Sequence, residues 1–197
     1  MPAATDASGI KSYQLQRRKG SGSWITVSLP SPTATSVDVA LEPTATYTFR
    51  LRATDNANNT SAYVTTAAGK LRRLQETATA IAYTGSWTRA ALTGSSGGYV
   101  RHAAAAGRVA KLTFSGRSVA FVSTLAKARG VAEIWLDGSK VATIVLYAAS
   151  ASKKRLVWVN SEPLAAGTHT LEVRVTGTKR AAATSTRVDV DAFLIWP

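Results

Sequence analysis

The chain has 197 residues, of which 45% are hydrophobic, and its formal net charge at pH 7 is +13. This length suffices for one large or two small folded domains, and this hydrophobic content argues against a disordered polymer. Cysteine is absent, which excludes disulfides and zinc–thiolate sites. No run of 18 apolar residues occurs, so a membrane span is not expected, and residues 1–6 lack the basic and apolar regions of a signal peptide.

The positive charge is concentrated in the later part of the chain. Residues 1–68 hold six Lys/Arg against four Asp/Glu, whereas residues 69–197 hold 18 against 7. Such an excess favours polyanionic partners, among them nucleic acid, acidic polysaccharide and an anionic cell wall. A role in solubility alone would explain the same charge.

The first part of the chain alternates between apolar and polar residues in short segments separated by turn residues. Strands about ten residues apart, with turn signals between them, are typical of a β-sandwich. We expect turns at residues 17–22, 30–32 and 55–59. The predicted strands cover residues 10–16, 24–29, 36–41, 47–53 and 62–65.

A second series of short strands fills the rest of the chain. Asp137-Gly138 stands between two alternating segments, which is a strong signal for a tight hairpin. Eight or nine strands in about 125 residues, without a helix of useful length, favour a jelly-roll sandwich. The sequence therefore predicts an all-β protein of two domains, 1–68 and 69–197. The strands predicted in the second domain cover residues 74–83, 99–103, 108–115, 118–125, 130–137, 140–147, 155–160, 169–176 and 187–195.

The first domain resembles a fibronectin type III-like module. The matching segments are Asp6-Ala-Ser-Gly-Ile-Lys-Ser-Tyr-Gln-Leu-Gln16, the strand that begins at Trp24, and Tyr47-Thr-Phe-Arg-Leu-Arg-Ala-Thr-Asp-Asn-Ala-Asn-Asn59. Asn58 stands where such modules usually have glycine. The resemblance implies two strands before Asp6, where only five residues are present. We therefore expect the first strands of the sandwich to be missing from this sequence, as in a fragment of a longer exported protein.

The second domain resembles the galactose-binding-like jelly rolls, a group that includes many carbohydrate-binding modules. Its matching segments are Tyr83-Thr-Gly-Ser-Trp87, Gly130-Val-Ala-Glu-Ile-Trp-Leu-Asp-Gly138, Leu164-Ala-Ala-Gly-Thr-His-Thr-Leu171 and Val190-Asp-Ala-Phe193. The resemblance implies an exported bacterial protein, extracellular or at the cell surface. It is specific for the fold and does not identify a ligand.

Catalytic motifs are missing from the sequence. It has no G-x-S-x-G elbow, no H-E-x-x-H pair and no phosphate-binding loop. We therefore predict a non-catalytic protein. Related jelly rolls often bind a structural calcium between an early acidic residue and a late aspartate, and Glu76 and Asp191 are the positions that correspond. Calcium requires six to eight oxygen ligands, and an aspartate that caps a turn or pairs with arginine is the alternative for Asp191.

Aromatic and arginine residues are the candidates for ligand binding. A tryptophan on the polar face of a strand can stack on a sugar ring, and arginine can donate hydrogen bonds to hydroxyl or acidic groups. Burial in the core is the alternative for each tryptophan. Loops at one end of a sandwich often carry the site. The predicted ligand-binding residues are Trp87, Tyr99, Arg101, Arg129, Trp135 and Trp158.

Taken together, these features favour a non-catalytic carbohydrate-binding region of an exported enzyme or cell-surface protein. The expected partner is a polysaccharide or cell-surface glycan, and a monomer is expected. Nucleic acid is not expected, because no RNA-binding or helix-turn-helix signature is present. The alternative is a structural adhesion or spacer module that binds protein or an anionic cell-wall polymer.

Overall fold

The computed structural model describes residues 8–43 and 45–197. In this part of the chain the regular structure consists of β-strands and one short 3₁₀ turn, Ser96–Gly98, and the paired strands are antiparallel. The all-β prediction is confirmed. The described residues include no helix long and apolar enough to cross a membrane. The chain divides into two compact units, Met1–Leu71 and Arg72–Pro197.

The first unit is built on one five-stranded sheet. Its strands are β1 (Ile10–Lys19), β2 (Ile25–Val27), β3 (Thr46–Asp55), β4 (Val64–Thr65) and β5 (Gly69–Lys70). The strand order is β2-β1-β3-β4, and β5 also pairs with β3. The two long strands, β1 and β3, are therefore the centre of the unit.

Two predictions for this unit were wrong. The basic residues 17–19, expected in a turn, extend β1, because each of them has a cross-strand partner among residues 47–49 of β3. Residues 36–41, expected to form a strand, lie outside the strands. Arg17 Nη1 donates a hydrogen bond of 2.7 Å to the Ala40 carbonyl. This segment is thus contacted by a side chain and has no strand pairing. Asp6, at the start of the fibronectin-like segment, lies outside the described residues.

The central sheet of this unit has two chemically different faces, because successive side chains on a strand point to opposite sides. One face is largely apolar and lines an open cavity of about 700 Å³, with Tyr13, Leu15, Phe49 and Leu51 in its wall. The other face carries Gln14, Gln16 and Arg18 of β1 and Arg50 and Arg52 of β3, with Gln14 paired with Arg52 and Gln16 with Arg50.

The second unit holds the remaining twelve strands of the described chain. They are β6 (Arg72–Gln75), β7 (Ile81–Thr84), β8 (Thr88–Ala91), β9 (Tyr99–Ala103), β10 (Val109–Ser115), β11 (Ser118–Leu125), β12 (Val131–Leu136), β13 (Ser139–Val145), β14 (Ser152–Val159), β15 (Thr168–Val175), β16 (Val188–Val190) and β17 (Ala192–Trp196). They form three sheets, ordered β13-β12-β15-β10-β7, β14-β11-β17-β6 and β16-β9-β8.

A single hydrophobic core fills the second unit. The inward residues of β10, β12 and β15 belong to one five-stranded sheet, and Leu112, Ile134 and Leu171 among them are fully buried. Phe121 and Phe193 enter the same core from neighbouring strands of a second sheet, with ring centroids 5.5 Å apart. Alternation along β10 and β15, with one face buried, contributes to this sandwich core.

Two strands predicted as continuous are broken in the structure. Residues 74–83 form β6 and β7, which belong to different sheets and are separated by a turn. Residues 187–195 form β16 and β17, with Asp191 at the break. The alternation of apolar and polar residues continues across both breaks. This alternation therefore does not predict that the chain changes from one sheet to another there.

The Asp137-Gly138 hairpin is confirmed. Both residues have positive φ, 49° for Asp137 and 82° for Gly138, as the tight two-residue hairpin turn requires. Leu136 and Ser139 pair across the turn.

The stability of the second unit should depend on the Phe121–Phe193 pair. Phe121 is fully buried, so Phe121→Ala removes apolar contacts and leaves a cavity. We expect it to lower the free energy of unfolding by about 3–5 kcal/mol, measured by denaturant titration. Leu156→Ala is the control, because Leu156 lies on the adjacent strand β14 with 53% of its surface exposed. Equal losses in the two variants would contradict this assignment of the core.

Candidate ligand-binding site

Three of the predicted ligand-binding residues lie around the small sheet β16-β9-β8. Tyr99 and Arg101 are on β9, and Arg101 is the direct cross-strand partner of Arg89 on β8. Trp87 immediately precedes β8. The loop before β9 contains Gly94, Gly97 and Gly98, all with positive φ, which glycine adopts without steric cost.

Aromatic rings and guanidinium groups alternate in this region, and we call Tyr83, Trp87, Arg89, Tyr99 and Arg101 the arginine–aromatic cluster. The Arg89 guanidinium lies 3.7 Å from the centre of the Tyr99 ring, and that of Arg101 lies 4.8 Å from the Tyr83 ring. Tyr83 and Trp87 pack with ring centroids 5.2 Å apart and planes tilted by 59°. Such contacts hold flat groups in fixed orientations.

Glu76 links the two ends of the cluster. Its carboxylate accepts a hydrogen bond from Arg89 Nε at 2.8 Å, and its backbone carbonyl accepts one from the Tyr83 hydroxyl, also at 2.8 Å. The Glu76 side chain is 3% exposed, while that of Arg89 is 44% exposed. Burial raises the pKa of the Tyr83 hydroxyl, so this hydroxyl stays protonated and acts as a donor at neutral pH.

The cluster carries more positive than negative charge. Like charges directly opposite each other on neighbouring strands repel, and Arg89 and Arg101 are such a pair. Glu76 forms an ion pair with Arg89, whereas Arg101 Nε is buried without a hydrogen-bond partner among the described residues. The arrangement is therefore suited to a ligand that supplies oxygen acceptors.

Asp191 lies at the break between β16 and β17 and is fully buried. Its Oδ1 accepts a hydrogen bond of 2.7 Å from the backbone N–H of Ser96, in the glycine-rich loop before β9. Its Oδ2 has no partner in the described chain. Burial, together with the nearby carboxylates of Glu76 and Asp189, raises the pKa of Asp191 to about 6.

The surroundings of Asp191 bear on the predicted calcium site. Oδ2 of Asp191 and Oε1 of Gln75 are both buried oxygens without a partner in the described residues, and Gln75 Nε2 donates to Ser96 Oγ at 3.1 Å. Oxygen atoms of this kind suit a hard cation. However, one oxygen of Glu76 already binds Arg89, and the described residues contain no group of three or more acidic or histidine side chains placed to hold a metal. Calcium binding by Glu76 and Asp191 therefore stays a prediction.

Arg129 has a different environment from the one predicted. It is 7% exposed, and its guanidinium lies 2.6 Å from Asp189 Oδ2, while Arg187 binds the other carboxylate oxygen at 2.6 Å. Asp189 and Arg129 are buried and Arg187 is partly exposed, so loss of Arg129 would leave the buried Asp189 charge less well compensated. Arg129 is thus buried and ion-paired, and it lies outside the arginine–aromatic cluster.

Trp135 lies on β12, in the five-stranded sheet of the second unit, and has no contact with the cluster among those described below. Its indole N–H donates to Glu133 at 3.1 Å, and Arg174 lies 3.8 Å from its ring centre. Trp158, on β14, lines a cavity of about 310 Å³ with Leu136, Val141 and Leu164, and it also packs against the core. The structure therefore does not bring these two tryptophans into the arginine–aromatic cluster.

Arg89 contacts both Glu76 and Tyr99 within the cluster, although it lies outside the strands predicted from the sequence. Its segment, Thr88-Arg-Ala-Ala91, has few β-branched or aromatic residues, so the sequence pattern predicts no strand there. The alternation of Tyr99, Arg101 and the preceding glycines was the available signal that a polar strand face lies here.

Comparisons with known proteins gave structural likenesses alone. No family model matches the chain, and no curated protein matches it in sequence. Among solved structures, a Paenibacillus xanthan lyase is 10% identical at a TM-score of 0.47, covering 77% of this chain and 21% of the lyase. A two-domain esterase active on acetylated mannans is 16% identical at a TM-score of 0.46, with 64% of this chain and 37% of the esterase covered.

A third structure belongs to a multidomain xylanase. The CBM36-1 domain of a multidomain xylanase from the hindgut metagenome of Trinervitermes trinervoides is 11% identical at a TM-score of 0.45, with 64% of this chain and 95% of that domain covered. The chain spans less than two fifths of the length of the lyase and the esterase. Because all these TM-scores are below 0.5, we base the functional proposal on the residues of this chain.

Asp191 should make stability depend on pH. Its pKa in the folded protein, about 6, exceeds the ordinary 3.8, so ionisation opposes folding and stability falls as pH rises through 6. Asp191→Asn keeps the Oδ1 acceptor and removes the charge. In EDTA we expect the variant to be more stable than the wild type above pH 6, by up to about 3 kcal/mol, with the advantage vanishing below about pH 4. Denaturant titration at each pH measures this, and a constant difference at all pH values would contradict it.

Calcium should act through the same carboxylate. If Glu76 and Asp191 hold Ca²⁺, millimolar CaCl₂ will raise the melting temperature of the wild type through binding to the folded state, and Asp191→Asn will lose that increase. Glu133→Gln is the control, since Glu133 lies on the five-stranded sheet with Lys140. A wild-type melting temperature that does not respond to calcium would exclude the metal site.

Proposed function

We propose that the second unit is a non-catalytic carbohydrate-binding module that recognises a polysaccharide or cell-surface glycan through the arginine–aromatic cluster. The observation that supports this proposal most directly is the convergence of two guanidinium groups and three aromatic rings around the small sheet β16-β9-β8, with Tyr83 supplied by β7 of a neighbouring sheet. We further propose that it serves as an accessory region of an exported bacterial enzyme or a surface protein, located outside the cell.

The chemistry of the cluster suits a sugar. The C–H faces of a pyranose are apolar and pack on indole or phenol rings, while its hydroxyls accept hydrogen bonds from guanidinium N–H groups. Trp87 is half-buried and Tyr99 is 40% exposed, so both present ring surface to solvent. The rings and the guanidinium groups are held by their own contacts, which lowers the entropy cost of binding.

The carboxylate at the cluster argues against catalysis there. Hydrolysis of a glycosidic bond uses a pair of carboxyl groups beside the scissile bond. Glu76 is buried and bound to Arg89, and Asp191 is fully buried behind the loop at Ser96. Neither is placed as an exposed acid or base.

The alternative is a spacer or adhesion module that binds an anionic cell-wall polymer. The excess of arginine over carboxylate in the cluster favours this reading when the ligand carries acidic groups. The first unit, proposed to be a fibronectin type III-like module, would then act as a spacer.

Binding of the full chain to a glycan array, followed by pull-down on insoluble polysaccharides, tests the proposal. We expect Trp87→Ala and Arg101→Gln each to weaken binding at least about tenfold, because each removes a central contact. Trp135→Ala is the matched control, as it removes the same ring type from a different sheet, and it should bind like the wild type.

Other outcomes would contradict the proposal in distinguishable ways. If Trp135→Ala abolishes binding and Trp87→Ala does not, the site is at Trp135 and not at the arginine–aromatic cluster. If no glycan binds, the carbohydrate reading fails. If binding is confined to acidic glycans and disappears at 0.5–1 M salt, where screening is strong, the anionic-polymer alternative is favoured.

A further inference from the structure

The first unit has an ordered row of arginines and aromatic rings on the face of its sheet opposite the apolar cavity. Trp24 lies between two guanidinium groups, 4.8 Å from that of Arg18 and 4.3 Å from that of Arg50. Tyr63 lies between the guanidinium groups of Arg50 and Arg52, at 4.0 and 4.8 Å. We call this row, Arg18-Trp24-Arg50-Tyr63-Arg52, the arginine ladder.

Glutamines fix the arginines further. Arg50 Nε donates to Gln16 Oε1 at 2.8 Å, and Arg52 Nε donates to Gln14 Oε1 at 2.7 Å. Tyr63 also donates from its hydroxyl to Gln14 Oε1, at 2.7 Å. The glutamines are the direct cross-strand partners of these arginines, so the pattern follows from the register of β1 and β3.

The ladder lacks a neutralising partner. In residues 8–43 and 45–197 no carboxylate forms a salt bridge with Arg18, Arg50 or Arg52. The carboxylates of Glu42 and Asp55 in this unit are bound elsewhere, to Lys19 and Asn59. Three guanidinium groups close together repel one another, and an anion would relieve that repulsion.

The geometry restricts what the anion can be. Arg50 and Arg52 are two residues apart on one strand, about 7 Å along it, so neighbouring cations form a line rather than a pocket. The rings of Trp24 and Tyr63 are each contacted by two guanidinium groups, which reduces the ring face available for stacking of nucleic-acid bases. The N–H groups along one edge of a guanidinium form bidentate hydrogen bonds with carboxylate or sulfate oxygens.

From these observations we propose that the arginine ladder is a docking surface for an acidic polysaccharide, with repeated carboxylate or sulfate groups bound along Arg18, Arg50 and Arg52. This site lies in the first unit and does not depend on the arginine–aromatic cluster of the second. The ladder holds its cations in place before binding, so less side-chain entropy is lost when the polymer docks.

Biolayer interferometry with the full chain tests the ladder, with polygalacturonate as the carboxylate probe and heparin as the sulfate probe. We expect Arg52→Gln to weaken binding to at least one probe about tenfold, as loss of a charge-assisted bidentate contact. Arg52→Lys keeps the charge and should recover only part of the affinity, because lysine lacks the planar fork. Lys70→Gln removes one exposed charge from the same unit and should change affinity less than twofold.

The variants also define what overturns the proposal. Equal losses for Arg52→Gln and Lys70→Gln would show attraction to net charge alone. Binding unaffected by Arg52→Gln, or no binding to either probe, would remove the ladder as a docking surface. Affinity for single-stranded DNA equal to that for both probes at the same ionic strength would overturn the polysaccharide assignment. Unchanged melting temperature of Arg52→Gln shows that a loss of binding is not a loss of fold.

Discussion

The architecture of the second unit depends on a change of sheet at Asp191. Val190 pairs with Arg101 in the small sheet, while Ala192 pairs with Gln75 and Val122 in a different one. One residue thus joins β16, which pairs with the strand that carries Arg101, to β17, which pairs with the strand that ends beside Glu76. Its buried carboxylate also holds the loop before β9 through Ser96. This crossing point therefore helps to position β9, which carries Tyr99 and Arg101.

Two aspartates on either side of Val190 show how burial can be accommodated in opposite ways. Asp189 is bound on both oxygens by arginines, so its charge is compensated by ion pairs and hydrogen bonds. Asp191 has a backbone N–H on one oxygen and no described partner on the other, and its pKa is raised accordingly. At Asp189, Arg129 and Arg187 therefore have a structural role. At Asp191, protonation or metal binding affects the stability of the fold.

The sequence pattern predicted most strands of the second unit well. The predicted bounds of β9 and β11, residues 99–103 and 118–125, match the structure. It failed at residues 74–83 and 187–195, because alternation reports which face is apolar and not which strand lies alongside. In the site, the ring and arginine types pointed to Trp87, Tyr99 and Arg101. The contacts of Arg89 with Glu76 and Tyr99 depend on pairing between β8 and β9, which residue types alone do not specify.

Both units stack arginine on aromatic rings, and the difference between them lies in what else contacts the guanidinium groups. In the second unit a buried carboxylate binds Arg89 and reduces the net charge of the cluster, which leaves hydrogen-bond donors suited to neutral hydroxyls. In the first unit the corresponding partners are the uncharged oxygens of Gln14 and Gln16, so the arginines keep their full charge. A glutamine in place of a glutamate at these cross-strand positions retains the orienting hydrogen bond without neutralising the cation. The same structural device is thus compatible with two ligand chemistries, distinguished by the charge of one neighbouring side chain.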